Sequence, residues 1–138
     1  MNSLTWFYDL VESRLGKTLS HYHFKRLTGK EYEEENKAEW ATLFYESNAG
    51  KRMVIDIQLC HKGPERTPFY VVRIDIEKHN LKEWLYPNIR SKMENFDISQ
   101  HWQAWEGWRG SNQAEVEEAF EGIALGLEKY LASNPQII

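Results

Sequence analysis

Two histidines flank Tyr22 in the stretch "SHYHF", and imidazole is the commonest protein ligand for transition metals. If this stretch is a strand, His21 and His23 project from the same face. A zinc site needs a third and a fourth ligand. The further candidates, Cys60, His61, His79, Asp97 and His101, follow no recognised spacing, and neither CxxC nor HExxH occurs. The sequence therefore predicts no metal and no other cofactor.

Nucleophilic catalysis would require a base beside the single thiol of Cys60. His61 is its neighbour in sequence, but adjacent residues of a strand point to opposite faces. The carboxylates of Asp56, Asp75 and Glu77 resemble the acidic residues of a hairpin nuclease only faintly, because Lys78 directly follows Glu77 and points the other way. The sequence favours a protein that is not an enzyme.

Charge and composition exclude other classes. The chain carries 17 basic and 21 acidic residues, a formal net charge of −4, and its basic residues are scattered. This balance predicts no nucleic-acid partner, and none of the eight glycines builds a phosphate-binding loop. No apolar run approaches the roughly 20 residues that span a bilayer, so we expect no membrane partner. One cysteine and an N-terminus without a leader pattern indicate a cytoplasmic protein.

The N-terminal half reads as one helix followed by strands. Apolar residues at helical spacing predict a helix over 3–15, ended by Gly16. The pattern then predicts strands over 19–27 and 39–46, and residues 31–38 are open to either a short helix or a loop.

The centre of the chain predicts two hairpins. In the second, Ile57 should face Val72 and Asp56 should face Arg73, because this register collects the apolar side chains on one face. In the first, the alternation predicts that Trp40, Thr42 and Phe44 lie over Ile57, Ile55 and Met53 on that same face.

The C-terminal half predicts two further helices. Asn80 and Glu83 have capping-box spacing at the start of a short helix that Pro87 interrupts. A longer helix begins after Asn112, carries an apolar stripe from Val116 to Leu131, and ends before Pro135. We therefore expect one α+β domain over 1–138: an antiparallel β-meander of about four strands, with the N- and C-terminal helices packed on one face.

Two surfaces are candidates for binding. The stretch "HWQAWEGWRG" suits an irregular lid in which some tryptophans fill the core while Trp108, beside Arg109, stays accessible. The outer face of the last helix places Leu125 among acidic residues. The predicted binding residues are Trp105, Trp108, Arg109, Glu118, Glu121 and Leu125, with Glu33, Glu34 and Glu35 as acidic support.

These observations favour a protein that binds another protein, with a basic partner suited to the acidic surface. By composition it is comparable to inhibitors, immunity proteins and secretion chaperones, which act by occupying a partner's surface. The alternative is a small-molecule-binding domain or enzyme. Its pocket would lie between the sheet and residues 80–110, lined by Tyr70, Trp84 and His101.

Overall fold

The computed structural model describes residues 4–32, 39–60, 68–93, 102–103 and 107–138, of which 102–103 by their backbone alone. The helices in these residues are α1 (Trp6–His21), α2 (Lys82–Lys92) and α3 (Gln113–Ser133). The strands are β1 (Lys25–Arg26), β2 (Trp40–Glu46), β3 (Arg52–Cys60), β4 (Phe69–Ile76), β5 (His79–Asn80), β6 (Trp102–Gln103) and β7 (Gly107–Gly110).

The strands form one antiparallel sheet in the order β1-β2-β3-β4-β7-β6, and β5 pairs with the end of β4. The first four strands are a meander, as the sequence predicts, so the expected α+β class is confirmed. The sheet has more strands than the four expected, because the residues after α2 add β6 and β7 beyond β4.

All three helices cover one face of the sheet, and the main core lies between the two layers. Ile55 has Leu43 and Ile74 as its cross-strand neighbours, and all three side chains are buried. Within the helical layer, Phe7 of α1 packs against Phe120 of α3, and their rings lie edge to face at 5.7 Å.

Helix α1 is longer than predicted, and the strand predicted over 19–27 is wrong except at Lys25–Arg26. The helix passes through Gly16 because Leu19 continues its buried stripe. The helix ends at His21, and the chain leaves it through a residue in the left-handed conformation, His23, with φ 63°. The amides of His23 and Phe24 donate to the carbonyls of Ser20 and Leu19, which is the Schellman arrangement usually made with glycine.

The register of the second hairpin is confirmed. Ile57 lies opposite Val72, Ile55 opposite Ile74, and Asp56 opposite Arg73.

The register predicted for the first hairpin is wrong by one residue. Trp40 pairs with Gln58, Thr42 with Asp56 and Phe44 with Val54. A one-residue shift moves every side chain of a strand to the other face of the sheet. Ala41, Leu43 and Tyr45 therefore enter the core, and the predicted set faces away from the helices.

The turn between β2 and β3 is tied to the C-terminal segment. The buried hydroxyl of Ser47 donates to the carbonyl of Ile137, in the short 3₁₀ turn Pro135–Ile137. The same hydroxyl accepts from the amide of Lys51.

Helix α2 begins later than predicted, because Asn80 is a residue of β5. The side chain of Asn80 accepts from the amide of Lys82 and donates to Asp75. It therefore bridges strand and helix rather than acting as the N-cap. Pro87 lies inside the helix without ending it, with its ring exposed to solvent.

Helices α2 and α3 approach each other closely at two glycines. A methyl group added at Gly122 would collide with Cα of Ile89, and one at Gly126 would lie 2.6 Å from the carbonyl oxygen of Trp84.

Asn112 caps α3 as predicted, because its side chain accepts from the amide of Glu115 at 2.9 Å.

The irregular lid predicted around the tryptophans is wrong where the structure describes it. β7 pairs antiparallel with β4 and β6 pairs antiparallel with β7, so Trp102 lies opposite Trp108 in the backbone register. No helix in the described ranges is long and apolar enough to cross a membrane.

Candidate functional site

The residues predicted for partner binding do not form one surface. Glu118 and Glu121 are exposed on the outer side of α3, and Leu125 beside them is half-buried. Glu121 and Leu125 line a groove together with Arg14 of α1 and Lys92 of α2. Two cations therefore partly balance the acidic residues. We call this set, Glu118, Glu121 and Leu125, the α3 stripe.

Trp108 and Arg109 lie elsewhere. Trp108 is 2% exposed and belongs to the core under α3, so the prediction that it stays accessible is wrong. Arg109 points to the opposite face of the sheet, where its guanidinium carbon lies 3.8 Å from the ring centroid of Phe69. Consecutive residues of a strand cannot share a face, which separates this pair. Trp105, Glu33, Glu34 and Glu35 lie outside the described residues.

The sheet face turned away from the helices brings together residues that sequence reasoning missed. We call it the open face. Its exposed and half-buried members are Trp40, Thr42, Phe44, Glu46, Arg52, Val54, Asp56, Gln58, Arg73, Asp75 and Arg109.

Trp40 is the most distinctive residue of the open face. It is 40% exposed and is the one large apolar side chain classed as exposed among the described residues. In its row across the sheet it is followed by Gln58, Val71 and Arg109. At the usual strand spacing the row is about 14 Å long. A solvent-exposed tryptophan on a regular strand is a contact surface that needs little ordering before it binds.

Two pairs of opposite charge lie on the open face. Arg73 contacts Asp56 at 3.2 Å, and Arg52 contacts Glu46 at 3.2 Å. Partial burial alone lowers the pKa of Arg73, but the charge of Asp56 and its hydrogen bond outweigh burial and raise it. The guanidinium of Arg73 therefore stays charged, and each of the two pairs links neighbouring strands of the sheet.

A second aromatic group borders this face. Tyr32 packs on Phe44 with ring centroids 5.3 Å apart, and Arg52 lies 5.8 Å from the centre of the Tyr32 ring. At the other end of the face, Cys60, Phe69 and Val71 are buried and form a small cluster of their own.

No group of three metal-binding side chains occurs in the part of the chain that the structure describes. His21 is the last residue of α1 and His23 is the left-handed residue beyond it, so the expected alternation on a strand is wrong.

The residues predicted to line one pocket do not lie together. Tyr70 packs edge to face on Trp6 at 5.6 Å, whereas Trp84 packs on Tyr130 at 5.5 Å. His101 lies outside the described residues. Trp84 does border a cleft of about 500 Å³, which lies between the β4–β5 hairpin, the start of α2 and the end of α3.

Comparison of the chain with protein-family models, with curated proteins and with solved structures finds no match in any of the three. The fold and the site therefore define the class directly: a two-layer α+β domain that bears an aromatic and arginine-containing open sheet face.

Proposed function

We propose that this protein binds another protein through the open face and does not turn over a substrate. The observation that carries the proposal is the exposure of Trp40 on a regular strand. Tryptophan and arginine are the residues that most often dominate the energy of protein interfaces. Trp40 and the arginines of the open face lie on one sheet. Phe44 lies on the same strand as Trp40, nearer to the β2–β3 turn.

The arrangement of charge favours a partner with a mixed apolar and polar surface. Three acidic and three basic side chains alternate over the open face: Glu46, Asp56, Asp75, Arg52, Arg73 and Arg109. Because Arg73 and Arg52 are already paired with carboxylates, the open face does not require a partner whose contact surface carries charges of one sign. Apolar contact at Trp40 would then supply most of the binding energy.

The α3 stripe supports a second role for charge in the same function. The chain has a net charge of −4, and Glu118 and Glu121 add to its acidic outer surface. Such a surface speeds the approach of a basic partner more than it strengthens the final complex. Occupying the partner's surface, as inhibitors, immunity proteins and chaperones do, is the mode we propose, and the cytoplasm is the compartment we propose for it.

Photo-crosslinking in the source cells tests the proposal. We place p-benzoylphenylalanine at Thr42, on the open face, and in a matched chain at Ala132, which is exposed on α3. We expect a protein adduct of one mass from position 42 and none from position 132. Adducts of the same pattern from both positions, or from neither, would overturn the assignment of the open face.

The captured partner then allows a quantitative test. We expect Trp40→Ala to raise Kd by about thirtyfold, the effect of losing one dominant interface residue. Reversing the charges of Glu118 and Glu121 to lysine should slow association, more at low salt than at high salt. An unchanged Kd for Trp40→Ala would remove the open face from the interface.

A further inference from the structure

A cleft lies on the side of the molecule where α2 begins and α3 ends. Its volume is about 500 Å³, within the range of pockets that hold small organic ligands. Its walls come from five parts of the fold: the β2–β3 turn, the β4–β5 hairpin, the first turn of α2, the end of α3 and the C-terminal 3₁₀ turn. All the lining residues are described by the structure.

One wall of the cleft is aromatic. Trp84 and Tyr130 meet edge to face, with centroids 5.5 Å apart and an interplanar angle of 87°, and each remains half-exposed. Burial raises the pKa of Tyr130, so its phenol stays protonated at neutral pH. Leu81 and Ile137, both buried, add apolar surface at the base. Such a wall suits a flat apolar group, and indole and phenol rings also attract cations.

Two glutamates and one lysine line the cleft. Glu77, in the turn of the hairpin, and Glu83, in the first turn of α2, are exposed and form no ion pair with any cation in the described part of the chain. Lys51 contributes one positive charge, and His79 is the remaining titratable group besides Tyr130. The last turn of α3 contains no basic residue, so the negative end of its dipole is not offset there.

We propose that this cleft binds a small organic cation: a primary amine or amidine attached to a flat apolar body. The apolar body would lie against Trp84 and Tyr130, and the cation would face Glu77 and Glu83. This site is separate from the open face, and it goes beyond the proposed binding of a protein partner.

Two probes with the same phenylethyl body and opposite charge test the proposal. 2-Phenylethylammonium and 3-phenylpropionate are titrated into the full chain, and the indole N–H signal of Trp84 is followed by ¹H–¹⁵N NMR. The signal is assigned by its loss in Trp84→Phe. We expect a saturable shift with the ammonium probe and at least about fivefold weaker binding of the carboxylate, as charge preference requires.

Variants then locate the charge. Glu77→Gln and Glu83→Gln should each weaken binding of the ammonium probe severalfold, whereas Glu118→Gln, on the outer side of α3, should leave it unchanged. Equal or tighter binding of the carboxylate probe, or no shift with either probe, would overturn the proposal. Trp40→Ala should not alter the titration, so failure here and failure of the open-face proposal are separate results.

Discussion

Trp40 lies directly opposite Gln58, one position away from the buried Ile57 that simple alternation assigns to it. This relationship places an indole on the open face instead of in the core. The turn explains it: five residues separate Glu46 from Arg52, and Gly50 adopts φ 77° within the turn. The conformation of the turn therefore decides which face of the sheet carries the tryptophan.

The two tryptophans Trp40 and Trp108 should respond oppositely to truncation. Trp108→Ala removes a core side chain that is 2% exposed, and we expect a loss of about 3–5 kcal/mol in the free energy of unfolding. Trp40→Ala should cost less than about 1 kcal/mol, because it changes a surface position. Urea denaturation of both variants measures this, and a large loss for Trp40→Ala would mean that the indole is needed for the fold itself.

Alanine should have opposite effects at two helical glycines. Gly122→Ala drives a methyl group into the backbone of α2 at Ile89, so we expect a loss of about 1–3 kcal/mol. Gly16→Ala, in the middle of α1, meets only a carboxylate oxygen of Glu12, at 3.8 Å, and should stabilise the protein by about 0.5–1 kcal/mol. Thermal unfolding distinguishes the two signs. Equal destabilisation by both would contradict the close approach of α2 and α3.

Alkaline pH should destabilise the protein through Tyr45. Burial, followed by the charge of Glu12, raises the pKa of this phenol, whose hydroxyl donates to Glu12 at 3.3 Å. The unfolded chain loses this proton near pH 10 while the folded chain keeps it, so stability is fully present below pH 10 and falls above it. The free energy of unfolding, measured from pH 8 to 11, should fall less steeply in Tyr45→Phe. Parallel curves for the two proteins would show that Tyr45 does not carry the effect.

The class of the fold and one of its registers follow from the sequence because they rest on strong local patterns. The β3–β4 pairing is fixed by apolar alternation on one face and by Asp56 opposite Arg73 on the other, so a shifted register would lose both. Helix α3 follows in the same way from its apolar stripe and from the side chain of Asn112 at its start.

The errors arise where two patterns are equally apolar or where an unusual residue takes a turn position. In β2, the sets Trp40/Phe44 and Leu43/Tyr45 are both hydrophobic, so periodicity alone cannot choose the buried one. His23 ends α1 in a conformation that normally signals glycine. The first of these errors concerns the candidate site. Because the predicted register places Trp40 in the core, the sequence predicts Trp108 and Arg109, and not Trp40, as binding residues.

The contact between Ser47 and Ile137 also bears on the order in which the fold forms during synthesis. A ribosome releases β2, β3 and β4 before it releases α3, and until then the core face of the sheet lacks the residues that α3 packs against it. The serine hydroxyl in the β2–β3 turn acquires its carbonyl acceptor only with the segment after α3. The part of the sheet that α3 covers is therefore exposed until α3 and the segment after it have emerged.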